Sequence, residues 1–328
     1  MAEEPYEIVG QLGRGHFGAV YEARHLALGW TVALKLIPVR TTVEVVLEEA
    51  RKLATLPRHD NVVQVVDAGP WGDSAVYIAS ELCLGGSLAD RAGTPLDPAT
   101  VCGLVSDACR GLDHLHQHDL LHLDIRPANI LLSEGTPRLA DFGLARWNDE
   151  ADVEVWYGPH AAPELVESGR ATAASDVFSM AMTLAHLLTG GTICRPFPVN
   201  AELVQASAHG EWPRLDELGP HVPTRLCKLL EEATQYDHAA RPSSVAAFKR
   251  ALDRATPAVA FIPTADGTLE SIGGEWSIST RATATGRVRV EVRRNGRRRS
   301  QLGKDDLTDA QARRYVASLV RRFANGEL

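Results

Sequence analysis

Hydrophobic and polar residues alternate along much of the first eighty residues, a pattern typical of β-strands. The predicted strands cover residues 6–12, 19–24, 31–37, 62–67 and 75–80. Between the third and fourth of these strands, residues 43–56 carry apolar side chains at helical spacing instead. The pattern therefore predicts a strand-rich region that contains one helix.

From Ser87 onward the spacing of the apolar residues becomes helical. Helices are predicted over residues 99–118, 175–188 and 224–234. The second is almost entirely apolar, which is typical of a helix buried in the core of a large domain. It is too short to cross a bilayer, because a membrane span takes about 20 apolar residues.

The last seventy residues have a third sequence pattern. Residues 256–274 contain two prolines and several glycines and are predicted to form a linker. Residues 275–281 and 287–293 then alternate like strands, and Asn295-Gly296 favours a tight hairpin turn because both residues tolerate positive φ. Thr308 opens a capping box that starts an amphipathic helix. The predicted α+β organisation is a large domain at 1–255, the linker at 256–274 and a small basic strand-strand-helix domain at 275–328.

Composition places the chain among ordinary globular proteins, with 45% hydrophobic and 23% charged residues in a chain of 328. The acidic start of the chain has no apolar run, so no secretion signal is expected. The five cysteines form no CxxC pair, which favours reduced core thiols over a disulfide or metal role. We therefore expect a soluble cytoplasmic protein.

The net charge of −8 is unevenly distributed. Residues 256–328 hold 13 basic against 8 acidic residues, a net of +5, whereas residues 1–255 hold 21 against 34, a net of −13. Such asymmetry predicts two domains with different partners.

The candidate chemistry centres on the run from His122 to Asn129, which contains Asp124, and on Asp141-Phe142-Gly143 downstream. Two acids and an amide at this spacing suit metal-assisted phosphoryl transfer, in which one acid handles the acceptor hydroxyl and the other groups hold magnesium. The alternative is that the two aspartates only cap local structure.

Two further motifs precede this run. Gly13, Gly15 and Gly18 lie between two predicted strands, where glycines let backbone amides approach phosphate oxygens. Taken alone they would also fit a glycine-rich hairpin or a dinucleotide fold, although the latter requires a helix next. Lys35 lies in an apolar strand, where it needs an anionic partner unless it extends to the surface. Glu49 is its natural helix partner, and Glu48 is the rival.

Together these motifs resemble the eukaryotic-type, or Hanks-type, protein kinase family, in its Ser/Thr branch, over residues 6–255. The matching positions are Gly13, Gly15, Gly18, Lys35, Glu49, Asp124, Asn129, Asp141-Phe142-Gly143, Ala162-Pro163-Glu164, Asp176 and Arg241. The resemblance implies a two-lobed fold, with a β-rich N-lobe and a helical C-lobe, that binds ATP and Mg²⁺ in the cleft between them. The alanine and arginine bias is typical of a bacterial source of high GC content.

The resemblance also implies a role for each residue. Asp124 would orient the acceptor hydroxyl and receive its proton, and Arg126 would neutralise the γ-phosphate. Lys35 and Glu49 complete the predicted catalytic set, and Asn129 and Asp141 would hold the metal. The predicted ATP contacts are Gly13, Gly15, Phe17, Gly18, Val20, Ala33, Lys35, Ser80, Glu81 and Cys83.

Three structural roles accompany them. Ser80 would occupy the gatekeeper position, where a small residue predicts a roomy back pocket. Glu164 would pair with Arg241, and Asp176 would steady the catalytic loop.

The chain departs from the family pattern at several points. Leu123 replaces the arginine that many kinases carry before the catalytic aspartate, which makes this a non-RD loop. The stretch from Asp141 to Glu164 contains no serine or threonine, and Tyr157 is its one phosphorylatable residue. We therefore predict that Ser/Thr phosphorylation of this loop does not switch the enzyme. The same stretch carries four acidic residues, which either mimic a phosphate or only keep an exposed loop solvated. They are Asp149, Glu150, Asp152 and Glu154.

The predicted function is a serine/threonine-type protein kinase acting on protein hydroxyls. An ATP-binding pseudokinase that serves as a scaffold is the alternative, motivated by Leu123, by Arg126 in place of the usual lysine and by Tyr157. A small-molecule kinase is disfavoured by Ala162-Pro163-Glu164 and Arg241.

The basic C-terminal region leaves three interpretations open. Its arginines are Arg287, Arg289, Arg293, Arg294, Arg297, Arg298, Arg299, Arg313 and Arg314. They could form a solvated face, contact an acidic partner such as the kinase region itself, or follow the phosphates of a nucleic acid.

Overall fold

The structure, a computed structural model, describes residues 4–15, 18–38, 47, 50, 51, 53–72, 74–147, 158–194 and 200–328. Its strands are β1 (Tyr6–Gly15), β2 (Gly18–His25), β3 (Thr31–Pro38), β4 (Val65–Trp71), β5 (Ala75–Glu81), β6 (Leu120–Leu121), β7 (Ile130–Ser133), β8 (Thr136–Leu139), β9 (Arg146–Trp147), β10 (Phe261–Pro263), β11 (Leu269–Ser271), β12 (Trp276–Ala282), β13 (Val288–Arg294), β14 (Arg297–Arg298) and β15 (Lys304–Leu307).

Seven α-helices have both of their ends within the described residues. They are α1 (Pro98–Gln117), α2 (Pro163–Ser168), α3 (Ala173–Thr189), α4 (Asn200–Ala208), α5 (Thr224–Ala233), α6 (Val245–Ala255) and α7 (Asp309–Ala324). Among the described residues, no helix is long and apolar enough to cross a bilayer.

The first compact unit comprises residues 1–86 and 130–143. Its antiparallel sheet has the strand order β1-β2-β3-β5-β4. The hairpin of β7 and β8 joins it because the backbone of Leu139 pairs with Asn61 and Val63 at 2.9 and 2.8 Å. Within the sheet, Tyr6 and Tyr77 both donate to the carboxylate of Asp67.

One strand begins later than predicted. β4 covers Val65–Trp71 rather than residues 62–67, and Val62 forms only an isolated bridge with Leu139. Pairing with β5 decides these limits, and it carries the strand through Gly69 and Pro70 despite their low strand propensity. The predicted helix over residues 43–56 falls partly outside the described residues, and Leu47 and Ala50 within it are helical and buried.

The second unit comprises residues 87–129 and 144–328. Its centre is α3, in which Val177, Phe178 and Met180 are completely buried. This burial confirms the sequence interpretation of an almost entirely apolar helix. The predicted α+β organisation is thus present, with a strand-rich first unit and a largely helical second one.

The last part of the second unit is a C-terminal sheet with the order β10-β11-β12-β13-β14, in which β15 pairs with β13. Buried side chains of the sheet and of α7 form one core that includes Phe261, Leu269 and Phe323. The hairpin turn and the capping box are confirmed, with φ of 49° at Asn295 and 74° at Gly296 and reciprocal bonds between Thr308 and Gln311.

The predicted linker at 256–274 contains β10 and β11 in the structure. Phe261 and Leu269 place their side chains in the core beneath α7, so burial outweighs the proline and glycine signals. The strand-strand-helix region is therefore a larger sheet, which begins before residue 275.

A buried ion pair fastens α2 to the loop before α6. The two terminal nitrogens of Arg241, Nη1 and Nη2, each donate to the Glu164 carboxylate at 2.8 Å, and its Nε donates to the carbonyl of Gln235. The Arg241 guanidinium also lies 4.9 Å from the centre of the Phe178 ring. The predicted pairing of these residues is therefore present, and the Arg241 side chain is completely buried.

This pair predicts a large loss of stability on truncation of the arginine. Arg241→Met would leave the Glu164 carboxylate without its guanidinium, and we expect a cost of about 3–5 kcal/mol in the free energy of unfolding. The control is Arg110→Met, whose exposed i,i+3 pair with Asp107 should contribute less than about 1 kcal/mol. Urea unfolding followed by tryptophan fluorescence measures both, and equal losses would contradict the assignment.

Candidate active site

The glycine-rich hairpin joins β1 to β2, with Gly13 opposite Val20 and Gly15 opposite Gly18. Gly18 has a φ of +152°, and a Cβ built on it would lie 2.0 Å from the carbonyl oxygen of Leu36. Only glycine fits there, because any side chain would collide with the backbone of β3. Phe17 lies outside the described residues.

Lys35 lies on β3 directly opposite Val20 of β2. Its Nζ is 2.5 Å from Oδ1 of Asp141, which also accepts a bond from the Gly143 amide at 3.3 Å. The lysine therefore has an anionic contact, as its apolar strand required. Glu49 and its rival Glu48 lie outside the described residues.

The predicted hinge begins at the end of β5. Ser80 pairs with Ala33 of β3, and its hydroxyl donates to the Ala33 carbonyl at 3.4 Å. Glu81 accepts from Arg138 at 2.5 Å and from the Gln64 amide at 2.9 Å. The Glu81 side chain thus links β5 to Arg138 of β8 and to Gln64 within the first unit. The sequence analysis did not predict Arg138 as its partner.

Cys83 is half-buried just beyond this point. Burial raises the pKa of its thiol, with a further contribution from the charge of Glu81. The thiol therefore stays protonated at neutral pH.

The catalytic-loop residues gather in the second unit. The Asn129 amide donates to Oδ2 of Asp124 at 2.6 Å and to its backbone carbonyl at 2.8 Å. Arg126 Nε lies 3.2 Å from Oδ1 of the same carboxylate. That contact is an ion pair by distance but lacks hydrogen-bond alignment, since Nε makes no hydrogen bond in the structure. Asn129 and Arg126 thus converge on the carboxylate of Asp124.

Asp176 holds the backbone that carries Asp124. Its two carboxylate oxygens accept from the amides of His122 and Leu123 at 2.9 and 2.8 Å, and Oδ2 also lies 2.8 Å from Nε2 of His116. Burial alone would raise the pKa of Asp176, but these hydrogen bonds and the neighbouring histidines lower it overall. The carboxylate is therefore ionised at neutral pH.

Leu123 itself has a positive φ of 61° and is buried. The bond from its amide to Asp176 holds this uncommon conformation. His116, which completes the contacts of Asp176, was not singled out in the sequence. Its position in an amphipathic helix gave no chemical signal.

Each of the two predicted metal ligands carries an oxygen donor within its own unit. Asp141 offers a carboxylate and Asn129 an amide oxygen, and Mg²⁺ prefers oxygen ligands. Because the Asn129 nitrogen is committed to Asp124, its oxygen is the atom left to bind a cation. Asp141 belongs to the first unit and Asn129 to the second.

Comparisons with known proteins establish the family of the chain. The family model described as the protein kinase domain matches residues 6–252, so the chain belongs to the protein kinase family. The serine/threonine-protein kinase PknK of Mycobacterium bovis is 30% identical over 256 residues, covering 75% of this chain and 23% of PknK.

Two further relatives have the same description. The serine/threonine-protein kinase cst-1 of Caenorhabditis briggsae is 30% identical over 201 residues, covering 57% of this chain and 39% of its own. The serine/threonine-protein kinase PknH of Mycobacterium bovis is 29% identical over 236 residues, covering 67% and 38%. The chain thus spans well under half the length of these curated relatives.

The arginines of the C-terminal sheet lie close to acids of the same region. The pairs are Arg287 with Asp306, Arg289 and Arg298 with Asp305, Arg293 with Glu291, and Arg294 with Glu275. Much of the positive charge is therefore compensated locally, at sites exposed to solvent.

The hairpin geometry predicts opposite outcomes for two glycines. Gly18→Ala would place a methyl group against the Leu36 carbonyl, and we expect a loss of about 2 kcal/mol or more in stability from strain and collision. Gly13→Ala is the matched control, because a Cβ there meets nothing within 4 Å. Thermal unfolding, with hydrogen exchange of the β1–β3 amides, separates the two. Equal behaviour would refute the geometric argument.

Proposed function

We propose that this chain is a serine/threonine-type protein kinase that transfers the γ-phosphoryl group of Mg-ATP to protein hydroxyls. The observation that carries the proposal is the Asp124 carboxylate, fixed by Asn129 and approached by Arg126 on a loop that Asp176 holds. Such preorganised charge is usually the largest contribution to catalysis.

Each residue then has a defined task. Asp124 orients the acceptor hydroxyl and takes up its proton, while the guanidinium of Arg126 offsets the charge of the phosphate. Mg-ATP supplies the phosphoryl group. Lys35 binds phosphate oxygens, and Asn129 and Asp141 hold the metal through their oxygens.

The nucleotide contacts follow the same assignment. Backbone amides of the hairpin at Gly13, Gly15 and Gly18 face phosphate, and Val20 and Ala33 enclose the base. The backbone of Glu81 and Cys83 binds adenine. Ser80, at the gatekeeper position, leaves space behind it.

The pseudokinase alternative accounts for fewer observations. A scaffold that only binds nucleotide has no need for a carboxylate held by an amide, a guanidinium and a buried aspartate. Lys35 and Asp141 are also in direct contact. These features favour catalysis.

Replacement of Asp124 tests the proposal. Asp124→Asn keeps the shape of the side chain but removes the proton acceptor, so we expect phosphate transfer to fall by about 10²–10⁴-fold while ATP binding persists. Radiolabelled Mg-ATP with a generic protein substrate gives the rate, and mass spectrometry assigns the acceptor residues. Asp113→Asn, a substitution on the surface of α1, is the control.

Two outcomes would count against the kinase assignment. Tight, metal-dependent ATP binding without transfer by the unmodified chain would indicate the pseudokinase. Transfer to a sugar or aminoglycoside but not to protein would indicate a small-molecule kinase.

We also propose that Ser/Thr phosphorylation of the loop does not switch this enzyme, and the missing cation at Leu123 extends the proposal to Tyr157. Leu123 offers no cation to a phosphate, and it is buried with its amide bonded to Asp176. The stretch that a phosphate would order, residues 141–164, contains no serine or threonine. The four loop acids and Tyr157 lie outside the described residues.

The regulatory proposal predicts an unchanged rate for Tyr157→Phe. Because Tyr157 is the one phosphorylatable side chain in that stretch, its loss and phosphatase treatment of the unmodified chain should each leave kcat at the value of the untreated, unmodified chain. Asp124→Asn serves as the inactive reference in the same assay. A marked fall in kcat on Tyr157→Phe or after phosphatase treatment would show that loop phosphorylation matters.

For the domain organisation, we propose a kinase domain at 1–255 and a C-terminal accessory domain in the remaining residues. An acidic partner or a nucleic acid at its arginines would have to compete with the carboxylates of Asp305, Asp306 and Glu275. This competition favours the solvated basic face over both binding proposals.

A further inference from the structure

Two histidines and a cysteine converge at the C-terminal end of α3. Nε2 of His160 lies 3.1 Å from Nδ1 of His186, and Sγ of Cys194 lies 3.7 Å from the same Nε2. All three donor atoms lie within 4.8 Å of one another. None of these residues belongs to the phosphoryl-transfer site described above.

The backbone brings these residues together from separate segments. His186 is in the last turn of α3, and the chain leaves the helix through Gly190 and Gly191, both with positive φ. The Gly191 amide donates to the His186 carbonyl, and the Cys194 amide donates to the Gly191 carbonyl. The chain therefore folds back and returns Cys194 to the helix end.

Gly191 is also confined by the imidazole. A Cβ on it would lie 3.0 Å from Nε2 of His186, so the turn closes against the outer nitrogen of that ring. His160 comes from the 3-10 turn Gly158–His160, immediately before α2.

Two of the three separations between the donor atoms match a tetrahedral zinc site. With Zn–N of about 2.0–2.1 Å and Zn–S of about 2.3 Å, tetrahedral angles separate two nitrogens by about 3.3 Å and a nitrogen from a sulfur by about 3.6 Å. The observed 3.1 and 3.7 Å differ from these values by a few tenths of an ångström.

We propose that His160, His186 and Cys194 bind a Zn²⁺ ion through Nε2, Nδ1 and Sγ. Two imidazoles and one thiolate form a ligand set that favours zinc over magnesium or calcium. Three protein ligands leave the fourth position of a tetrahedral ion for water. The competing interpretation is a histidine–histidine hydrogen bond with a neighbouring thiol. It uses the same contacts without a metal.

Burial sets the protonation states of the three groups before a metal binds. Burial lowers the pKa of both histidines, which keeps their ring nitrogens neutral, and the charge of Arg126 acts in the same direction on His160. Burial raises the pKa of the Cys194 thiol to about 12. Coordination therefore breaks the S–H bond, forms the Zn–S bond and releases one proton to solvent.

The ion would connect the segment that leads into Glu164 to the helix that carries Asp176. In a chain whose loop offers no serine or threonine for phosphorylation, this is a phosphate-independent way to order residues 158–164. Zinc binding is a separate property from phosphate transfer, so either can fail without the other.

Cobalt substitution tests the site directly. Untagged full-length protein is stripped of metal with a chelator and titrated with Co²⁺. A second titration with Zn²⁺, in competition with a chromophoric chelator, measures the zinc affinity. We expect one ion per chain, with a thiolate-to-cobalt charge-transfer band and the strong visible bands of tetrahedral cobalt. Absence of both bands from the unmodified chain would overturn the proposal without recourse to any variant.

Variants identify the ligands. Cys194→Ser should abolish the charge-transfer band, and His160→Gln should weaken zinc binding by more than about 100-fold, since even supporting residues cost 10–100-fold. Cys227→Ser, a partly exposed cysteine of α5 outside the cluster, should behave as the unmodified chain.

Zinc should also raise the thermal midpoint of the unmodified chain but not that of Cys194→Ser, with circular dichroism confirming that each variant folds. A charge-transfer band retained in Cys194→Ser, or equal zinc affinity in all variants, would refute the assignment.

Discussion

The carboxylate of Asp176 is the contact on which the candidate catalytic loop depends. It is completely buried, and a buried charge is stable only when its oxygens are fully hydrogen-bonded. The amides of His122 and Leu123 and the ring of His116 supply those bonds. They hold Leu123 in a left-handed conformation, and so they set the direction in which the chain presents Asp124.

The helix α3 gathers several such contacts. Besides Asp176, it provides Phe178 beneath the guanidinium of Arg241, Ser175 as a donor to Glu164, and His186 at the proposed metal site. Because most of the helix is apolar and buried, these polar groups are held on a rigid element. Displacement of α3 would disturb the catalytic loop, the Glu164–Arg241 pair and the histidine pair together.

Much of the fold was predictable because the local sequence signals agree with the conformations that the folded chain adopts. The Asn295-Gly296 turn and the Thr308 capping box are short-range signals, and both formed as predicted. The predictions differed from the structure where pairing partners decided the outcome. β4 follows its ladder with β5, and residues 256–274 join a sheet because Phe261 and Leu269 find a core beneath α7. Propensity cannot foresee such burial, since the covering residues lie elsewhere in the chain.

By itself, the sequence determined the chemical identity of the candidate site. The residue types and order of Lys35, Asp124, Asn129 and Asp141, and the absence of serine and threonine between Asp141 and Glu164, can be read without coordinates. The tertiary structure alone decided which groups support them. Arg138 reaches Glu81 across 57 positions, His116 reaches Asp176 across 60, and Cys194 meets His160 across 34. No periodicity links such distant positions, because hydrogen bonds and metal ligation depend on separations of a few ångströms that only the folded backbone creates.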